Sequence, residues 1–449
     1  MEAAHAHALT LRSRLDAAAW SAALVASGVA LLLAFMGLGV VLGRNPLPLP
    51  IVLGFGLGLL TALALALARF DAAVALGVLL LAVVRVEPAP SDLIFAVVIA
   101  VAVAVGSFDL ERVPVSVISL VGAFLALNLL SAIGAVDPGR AAEFFAITLY
   151  LGILALWLTS YVCSVRRARL VLLAYLTGAV LSAAVACAAL FVPFPGGEVF
   201  VSGPRAQGLF KDPNVFGPFL VPAALILMEE TVVPRLLRWR LSTKLVLLSI
   251  LTVGIVFSFS RAAWLNLAVG AVVLLAVLSL RRGGGRKAFM LLAVGLVAAA
   301  TLLGTLAATS SLDFLEQRAT LQDYDAQRFG AQATGIEIAT EHPIGIGPGQ
   351  FEQASEISAH STYVRALAEQ GVVGVFLIFG LVILTLGFAL RNAALGRDTY
   401  GIGSAALLAA WFGIVANSAF VDTLHWRHLW LVAALIWAGT ALRTGYPGR

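Results

Sequence analysis

The chain has 449 residues, of which 61% are hydrophobic and 12% are charged, and its mean hydropathy is +1.00. A soluble domain carries about 25% charged and about 45–50% apolar residues, so the composition excludes a water-soluble protein and indicates an integral membrane protein. The basic pI of 9.5 must first be considered as a topology signal. The two cysteines, Cys163 and Cys187, lie within apolar runs, so packed thiols are expected and no disulfide framework is predicted.

Fourteen apolar runs predict the helices of this protein, since a membrane-spanning helix needs about 20 mostly apolar residues. The first run is too long for a signal peptide and has no convincing cleavage site, so an uncleaved first span is expected. We predict an all-α polytopic integral membrane protein with about twelve to fourteen transmembrane helices. The third segment is short enough to be re-entrant or tilted, and the ninth and tenth form a tight hairpin. The segments lie at 18–43, 49–69, 72–86, 91–107, 113–134, 142–165, 168–193, 214–231, 244–260, 261–280, 287–309, 371–391, 400–420 and 427–443.

Positive charge divides the loops into two groups. If the N-terminus is cytoplasmic, 19 of the 29 Lys and Arg residues lie in cytoplasmic segments, notably at 166–169, 235–244 and 281–287. The positive-inside rule supports this orientation, so topology explains the basic pI and no nucleic-acid partner is expected. Two segments, 194–213 and 310–370, then face outward, toward the periplasm or the cell exterior.

Four regions follow from this topology. They are N-terminal transmembrane helices at 1–193, transmembrane helices with outward basic motifs at 194–309, a large periplasmic loop at 310–370, and C-terminal transmembrane helices at 371–449. No repeat and no low-complexity tract divides the chain further.

The large outward loop combines a helical pattern with a glycine-rich turn. Phe329, Ala333 and Ile336 have helical spacing and predict an amphipathic helix, which ends at the proline of "EHPIG". The segment "GIGPGQF" follows no predicted strand and faces away from the ATP pool. It is therefore expected to be a flexible turn, and its glycines are only weak evidence of a phosphate-binding loop.

His360 lies among hydroxyl side chains where the next helix is expected to begin. The residues three, four and seven positions after it form one helical face, and Arg365 and Glu369 have the i,i+4 spacing of an ion pair. The positive end of the helix dipole disfavours protonation in the first turn. We therefore predict that His360 is a neutral imidazole that can accept a proton. The alternative is a histidine that only caps the loop.

Four basic residues on the outward side are candidates for binding an anion. They are Arg205 and Lys211 in "GPRAQGLFKDP", Arg261 at the tip of a helix hairpin, and Arg328 in the large loop. A guanidinium group can donate two parallel hydrogen bonds to the oxygens of a phosphate. A diphosphate would therefore use two or three arginines. The alternatives are that Arg261 snorkels to the lipid headgroups, that Lys211 pairs with Asp212 at the surface, and that Arg328 is structural.

A general base and several arginines on the side without nucleotides suit one reaction class. A hydroxyl attacks a sugar activated as a lipid diphosphate, the arginines stabilise the departing diphosphate, and His360 takes the acceptor proton. The outward sequence offers no dense cluster of metal ligands, and the short loop "DTLHWRH" (422–428) is a poor divalent site. Trp426 and Trp430 are expected to anchor at the membrane interface.

Three sets of motifs resemble the O-antigen ligase and polymerase superfamily, which includes WaaL-like ligases and Wzy-type polymerases. They are "RAQGLFKDPNVFG", "SFSRAAWLNL", and "EHPIGIGPGQF" followed by "HSTYVRALAEQGVVG", between about residues 200 and 375. The resemblance implies a GT-C-type glycosyltransferase with a large periplasmic loop that contains helices. Such an enzyme transfers a glycan from undecaprenyl diphosphate, inverts the anomeric centre, and needs no metal.

The resemblance also implies which residues act. The loop histidine of the family falls on His360, and its motif arginines fall on Arg205 and Arg261, with Arg328 as a third. One departure is Ser361, which stands where such motifs often have asparagine.

The resemblance leaves the acceptor open. Lipid A–core oligosaccharide would make the protein an O-antigen ligase, which we favour. A second lipid-linked glycan would make it an O-antigen or exopolysaccharide polymerase, and a protein acceptor would make it an O-oligosaccharyltransferase. A transporter or flippase for lipid-linked sugars is the alternative of a different class, but transporters tend to place ionisable groups near the bilayer midplane.

Overall fold

The computed structural model describes residues 49–192, 194–281, 284–308, 320 and 323–441, and the first predicted segment, 18–43, lies outside them. Each of the other thirteen predicted segments overlaps a helix, which confirms the all-α prediction for this part of the chain. The helices are α1 (Leu49–Ala68), α2 (Phe70–Leu79), α3 (Pro90–Ala104), α4 (Val115–Ser131), α5 (Pro138–Tyr161), α6 (Val165–Phe191), α7 (Pro213–Val232), α8 (Leu241–Phe257), α9 (Arg261–Leu280), α10 (Gly284–Ala308), α11 (Asp323–Glu341), α12 (Phe351–Ala354), α13 (Thr362–Ala394), α14 (Ser404–Ser418) and α15 (Arg427–Ala441). The strands are β1 (Val83–Val84), β2 (Val201–Ser202), β3 (Arg205–Ala206) and β4 (Leu209–Phe210).

Six helices of the described residues are long and apolar enough to cross a membrane. They are α4 with the turn that follows it, α5, α6, α7, α9 and α13. Shorter apolar helices, among them α2, α3, α8 and α14, pack between them. Nearly every residue of α7 and α14 is buried, so these two helices form the centre of the bundle. The protein is therefore a multi-pass membrane protein.

The loops that the sequence predicts to face outward meet at one end of this bundle. Strand β1 pairs in parallel with β4 and so joins the loop after α2 to the segment before α7. Arg427 Nε lies 2.7 Å from Asp92 Oδ1, and the Asp137 N–H donates to Gln350 Oε1 at 2.8 Å. These contacts connect segments that are far apart in the sequence, and we call this end the polar end.

The arginine-rich segments that the sequence predicts to be cytoplasmic lie at the opposite end. Glu229 is buried there and pairs with Arg235 at 3.0 Å and with Arg281 at 3.3 Å. At this end Arg166 also pairs with Asp71 at 2.9 Å. The described charges therefore separate into two layers, one at each end of the spans.

Short polar side chains begin four helices at the polar end. Asp137, Asp212, Ser260 and Ser361 each accept a hydrogen bond from a backbone N–H in the first turn of α5, α7, α9 and α13. In α5 and α7 the next residue is proline, whose fixed φ favours the first helical position. These caps determine where each helix starts, and they hold the neighbouring residues of the polar end in place.

A kink in α13 receives the glycine-rich turn. Gly371 interrupts the helix with φ 71°, a conformation that L side chains rarely adopt. Close to the kink, Ile346 N–H donates to the Ala368 carbonyl at 3.0 Å and Gly347 N–H donates to the Glu369 carbonyl at 2.9 Å. The predicted turn therefore exists, and its backbone is fastened to the helix that follows His360.

Helix α11 confirms the helix predicted in the large loop, but the predicted apolar face is wrong. Phe329, Ala333 and Ile336 are exposed, Phe329 by 57%. The helix instead packs on α13 through the face that contains Ala331 and Ile338. A second apolar face at helical spacing is therefore left uncovered, and its first residue lies beside the cavity described below.

Candidate functional site

A cavity of about 490 Å³ opens at the polar end. Its walls come from the starts of α7 and α9, from α11, from the segment before α13, and from the loop between α14 and α15. The lining residues are Asp212, Asn214, Val215, Arg261, Ala262, Leu265, Arg328, Phe329, Gln332, Ser358, His360, Phe420, Val421, Asp422 and Trp426. We call it the polar cavity.

The polar cavity brings together three of the five site residues that the sequence predicts. Arg261, Arg328 and His360 all line it. Arg261 is the first residue of α9, and its guanidinium donates to the Thr320 carbonyl at 3.2 Å. Because that carbonyl belongs to the segment before α11, Arg261 connects the hairpin tip to the large loop. Two guanidinium groups and an imidazole therefore share one partly apolar space.

Arg205 lies next to the polar cavity rather than in its lining. Its Nε donates to the Ser258 carbonyl at 2.8 Å, and its Nη2 donates to Asn214 Oδ1 at 2.9 Å. Asn214 itself lines the cavity. Arg205 thus holds the tip of the α8–α9 hairpin against the start of α7, behind one of the cavity walls.

Lys211 is not brought to the polar cavity. Its ammonium group lies 2.7 Å from Glu87, and both side chains are close to half exposed. The predicted alternative partner, Asp212, instead caps α7 through the Asn214 N–H at 2.8 Å. An exposed pair of this kind contributes about 0–1 kcal/mol to folding.

His360 stands two residues before the helix, so its predicted position in the first turn is wrong. The helix α13 begins at Thr362, with Ser361 as its cap. His360 has φ 45°, a left-handed conformation that is uncommon for residues other than glycine. Its carbonyl accepts from Gln332 Nε2 at 3.4 Å, which ties it to α11. The loop geometry, and not the helix dipole alone, therefore holds the imidazole at the cavity.

Burial lowers the pKa of His360 below its usual value of 6.5, and the charges of Arg328 and Arg365 lower it further. The carboxylates of Asp212 and Asp422 act in the opposite direction with smaller effect. This shift of the pKa favours the neutral imidazole at neutral pH, which is the form that a general base requires.

This lowered pKa predicts where activity is lost at acid pH in any reaction in which His360 accepts a proton. Activity should persist as the pH falls to 6.5 and should be lost only below it, because the neutral form predominates above the lowered pKa. Arg328→Met removes one cause of the shift, so the acid limb should move to higher pH. A profile of kcat/KM against pH for both proteins checks this, because kcat/KM reports the pKa of the free enzyme. An unchanged acid limb in Arg328→Met contradicts it.

A buried arginine organises the wall behind His360, and sequence reasoning found only one of its contacts. The predicted pair of Arg365 with Glu369 is present at 2.9 Å. Arg365 is 4% exposed, and its Nε also lies 2.8 Å from Asp422 Oδ2. The side chain further pairs with Glu352 and donates to Ser358 Oγ at 2.9 Å.

These contacts connect the polar cavity to the glycine-rich turn. Ser358 and Asp422 line the cavity, whereas Glu352 lies in α12, directly after the turn, and also pairs with Arg140 of α5 at 3.0 Å. Burial raises the pKa of Glu352, but the hydrogen bond and charge of Arg365 outweigh it and the net shift is downward. Arg365 therefore holds two cavity walls and the turn together.

Two tryptophans of the last outward loop do not anchor at the membrane interface, and that prediction is wrong. Trp426 is 6% exposed and lines the polar cavity. Trp430 is also buried, and its indole N–H donates to the Leu424 carbonyl at 2.7 Å. Their aromatic surface packs inside the protein, where α15 enters the bundle.

The polar side chains of the same loop take separate partners. Asp422 faces Arg365, whereas His425 Nε2 lies 3.0 Å from Thr148 Oγ1 of α5. Among the residues that the structure describes, no group of three or more His, Cys, Asp and Glu side chains is arranged to hold a metal ion.

Residues 245–379 match the family model described as O-antigen ligase. This confirms the resemblance to the O-antigen ligase and polymerase superfamily, and the matched segment contains Arg261, Arg328 and His360. No curated protein shows a significant match to the chain.

Proposed function

From the premise that residues 245–379 are an O-antigen ligase family segment, we propose that the protein transfers a glycan from undecaprenyl diphosphate to an acceptor hydroxyl. The observation that carries this proposal is that Arg261, Arg328 and His360 line one cavity. The matched family supports a membrane enzyme that acts on lipid-linked glycans. The polar end of the bundle faces the periplasm of a bacterial inner membrane.

The polar cavity suits a lipid diphosphate because it combines two kinds of surface. Arg261 and Arg328 offer forked donors for phosphate oxygens, and Arg205 adds positive charge beside the cavity wall that contains Asn214. Val215, Leu265 and Phe420 give the cavity an apolar side. That side accommodates the first isoprene units of a polyprenyl chain.

The chemistry requires one proton transfer and one displacement. The neutral His360 imidazole takes the proton of the acceptor hydroxyl as its oxygen attacks the anomeric carbon. The bond between that carbon and the diphosphate breaks on the opposite face, so the configuration inverts. The negative charge that develops on the departing diphosphate is stabilised by Arg261 and Arg328, which are already in place.

Lipid A–core oligosaccharide is the acceptor that we propose, which would make the protein an O-antigen ligase. Polymerisation onto a second lipid-linked glycan uses the same cavity and chemistry. A flippase is less well supported, because the described ionisable groups gather at the two ends of the spans. The buried polar residue Asn128, in the last turn of α4, accepts a hydrogen bond from Gln370 of α13 at 3.1 Å and so joins these two helices.

Reconstitution tests this proposal. Purified protein in proteoliposomes receives an undecaprenyl-diphosphate glycan and, in separate reactions, lipid A–core, a second lipid-linked glycan, or no acceptor. Transfer to lipid A–core, unchanged by EDTA, is the expected result. Transfer only to the second lipid-linked glycan would identify a polymerase. Absence of any transfer contradicts the proposed function, and loss of transfer in EDTA with recovery in Mg²⁺ contradicts the metal-independent mechanism.

The arginines of the polar cavity should control donor affinity. Arg261→Ala is expected to raise the KM for the donor by about 10- to 100-fold, because a charge-assisted hydrogen bond contributes about 1.5–3 kcal/mol. Arg261→Lys should recover only part of the loss, since the fork is missing. Arg85 gives a matched control, because it is an arginine of the same end that donates to the Val199 carbonyl outside the cavity. An Arg261→Ala enzyme whose KM equals that of Arg85→Ala contradicts this role.

A further inference from the structure

A second cavity lies at the other end of the bundle, on the surface between α2 and α6. It is an open groove of about 770 Å³. Its lining residues are Ala75, Leu76, Leu79, Val165, Arg166, Arg169, Leu170, Leu173, Ala174 and Thr177. Eight of them are uncharged and mostly apolar, and the two arginines stand together near the start of α6. We call it the basic-rimmed groove.

The dimensions of the basic-rimmed groove match one leaflet of a bilayer. The lining residues of α6 run from Val165 to Thr177, a rise of about 18 Å along a helix. Half of the hydrocarbon core of a bilayer measures about 15 Å. The groove therefore begins with its arginines at the depth of the headgroups and ends near the bilayer centre.

The arginines at the rim of the basic-rimmed groove outnumber the acidic side chains that pair with them. Arg166 has an 82% exposed side chain and directs one nitrogen to Asp71 at 2.9 Å. Arg167 shares the same carboxylate at 3.8 Å. Arg169 is exposed and has no hydrogen bond or ion pair with any residue that the structure describes. Three arginines thus face one aspartate, and the guanidinium of Arg169 remains available to an anion.

We propose that the basic-rimmed groove binds an anionic phospholipid, with one acyl chain along α6 and the phosphate between Arg166 and Arg169. Basic pockets between transmembrane helices are suited to anionic headgroups. A zwitterionic lipid offers the same chain but no net charge for the rim. A second copy of this chain would bring a second set of arginines to the same place, so charge repulsion disfavours a dimer through this face.

The topology signal alone does not account for this arrangement. The positive-inside rule concerns only how many basic residues lie in the cytoplasmic loops, and it does not depend on where their side chains lie. Here Arg166 and Arg169 lie at one end of an apolar groove, and Leu170 and Leu173 of the same helix continue its lining. Lys287, at the start of α10, is an exposed cation of the same end that is not among the lining residues of the basic-rimmed groove, and it serves as the matched control.

Native mass spectrometry of the detergent-purified protein tests the proposal with phosphatidylglycerol, cardiolipin and phosphatidylcholine as probes. The wild type should retain the two anionic lipids in preference to phosphatidylcholine. Arg169→Ala should weaken that binding about fivefold, and the Arg166→Ala, Arg169→Ala double variant roughly 30-fold. Lys287→Ala should leave it unchanged, and inorganic phosphate should not compete. These arginines are exposed, so the variants are expected to fold.

Three results would overturn the proposal. The first is equal retention of phosphatidylcholine and phosphatidylglycerol by the wild type. The second is a loss in Lys287→Ala as large as the loss in Arg169→Ala, which would indicate diffuse attraction by surface charge. The third is a lipid-free dimer in which this face is covered.

Discussion

Replacement of His360 by alanine is expected to reduce glycan transfer by about 10²- to 10⁴-fold, the usual contribution of a positioned general base. The imidazole is the one neutral base among the residues that line the polar cavity, whose other titratable groups are two arginines and two aspartates. Asp422 already faces Arg365, and Asp212 caps α7. Neither carboxylate is therefore expected to replace the lost imidazole.

The same substitution should leave the fold and the affinity for donor nearly intact. His360 makes its one described hydrogen bond through its backbone carbonyl, which alanine keeps. Unfolding of the detergent-solubilised protein should follow the wild type, and donor binding should change little while kcat falls. Transfer by His360→Ala at the wild-type rate would show that the histidine only shapes the loop.

Replacement of Arg365 by leucine is expected to destabilise the protein by about 3–5 kcal/mol, because it leaves the buried carboxylate of Glu369 and the partly buried carboxylate of Asp422 without their partner. Glu369 and Asp422 both lose their contacts with Arg365, and Ser358 loses a hydrogen bond. Asp422 and Ser358 line the polar cavity, so the rate of glycan transfer should fall together with stability. Unfolding in detergent with increasing denaturant measures the change in free energy.

An exposed ion pair of the same end provides the comparison for Arg365. Lys211→Ala breaks the pair with Glu87, whose side chains are 49% and 43% exposed, and should cost about 0–1 kcal/mol. The loss of stability in Arg365→Lys should lie between those of Arg365→Leu and Lys211→Ala, since lysine keeps the charge but lacks the forked guanidinium. If Arg365→Leu is no less stable than Lys211→Ala, the buried ionic cluster does not hold the cavity walls.

The helices and the meeting of the outward loops could be predicted from the sequence because both depend on local composition. Apolar runs predicted the spans, and the distribution of arginines predicted which loops share an end. Since loops at one end of a bundle lie close together, His360, Arg261 and Arg328 were expected to be neighbours, and they line one cavity. The capping residues that position them are also local signals.

The contacts that the sequence could not predict join residues that are far apart along the chain. Arg365 pairs with Glu369 at a spacing that a helix fixes, but its pairing with Asp422 depends on where α14 ends in space. Lys211 reaches Glu87 because β1 lies beside β4. Helix α11 carries apolar residues on two faces, and spacing alone cannot tell which face packs on α13.

The most direct measurement is a cryo-EM structure of the protein with an undecaprenyl-diphosphate glycan bound. The account predicts the diphosphate in the polar cavity, in contact with Arg261 and Arg328, with the anomeric carbon on the side of His360. A diphosphate bound away from both guanidinium groups, or one whose sugar faces away from the imidazole, would contradict it.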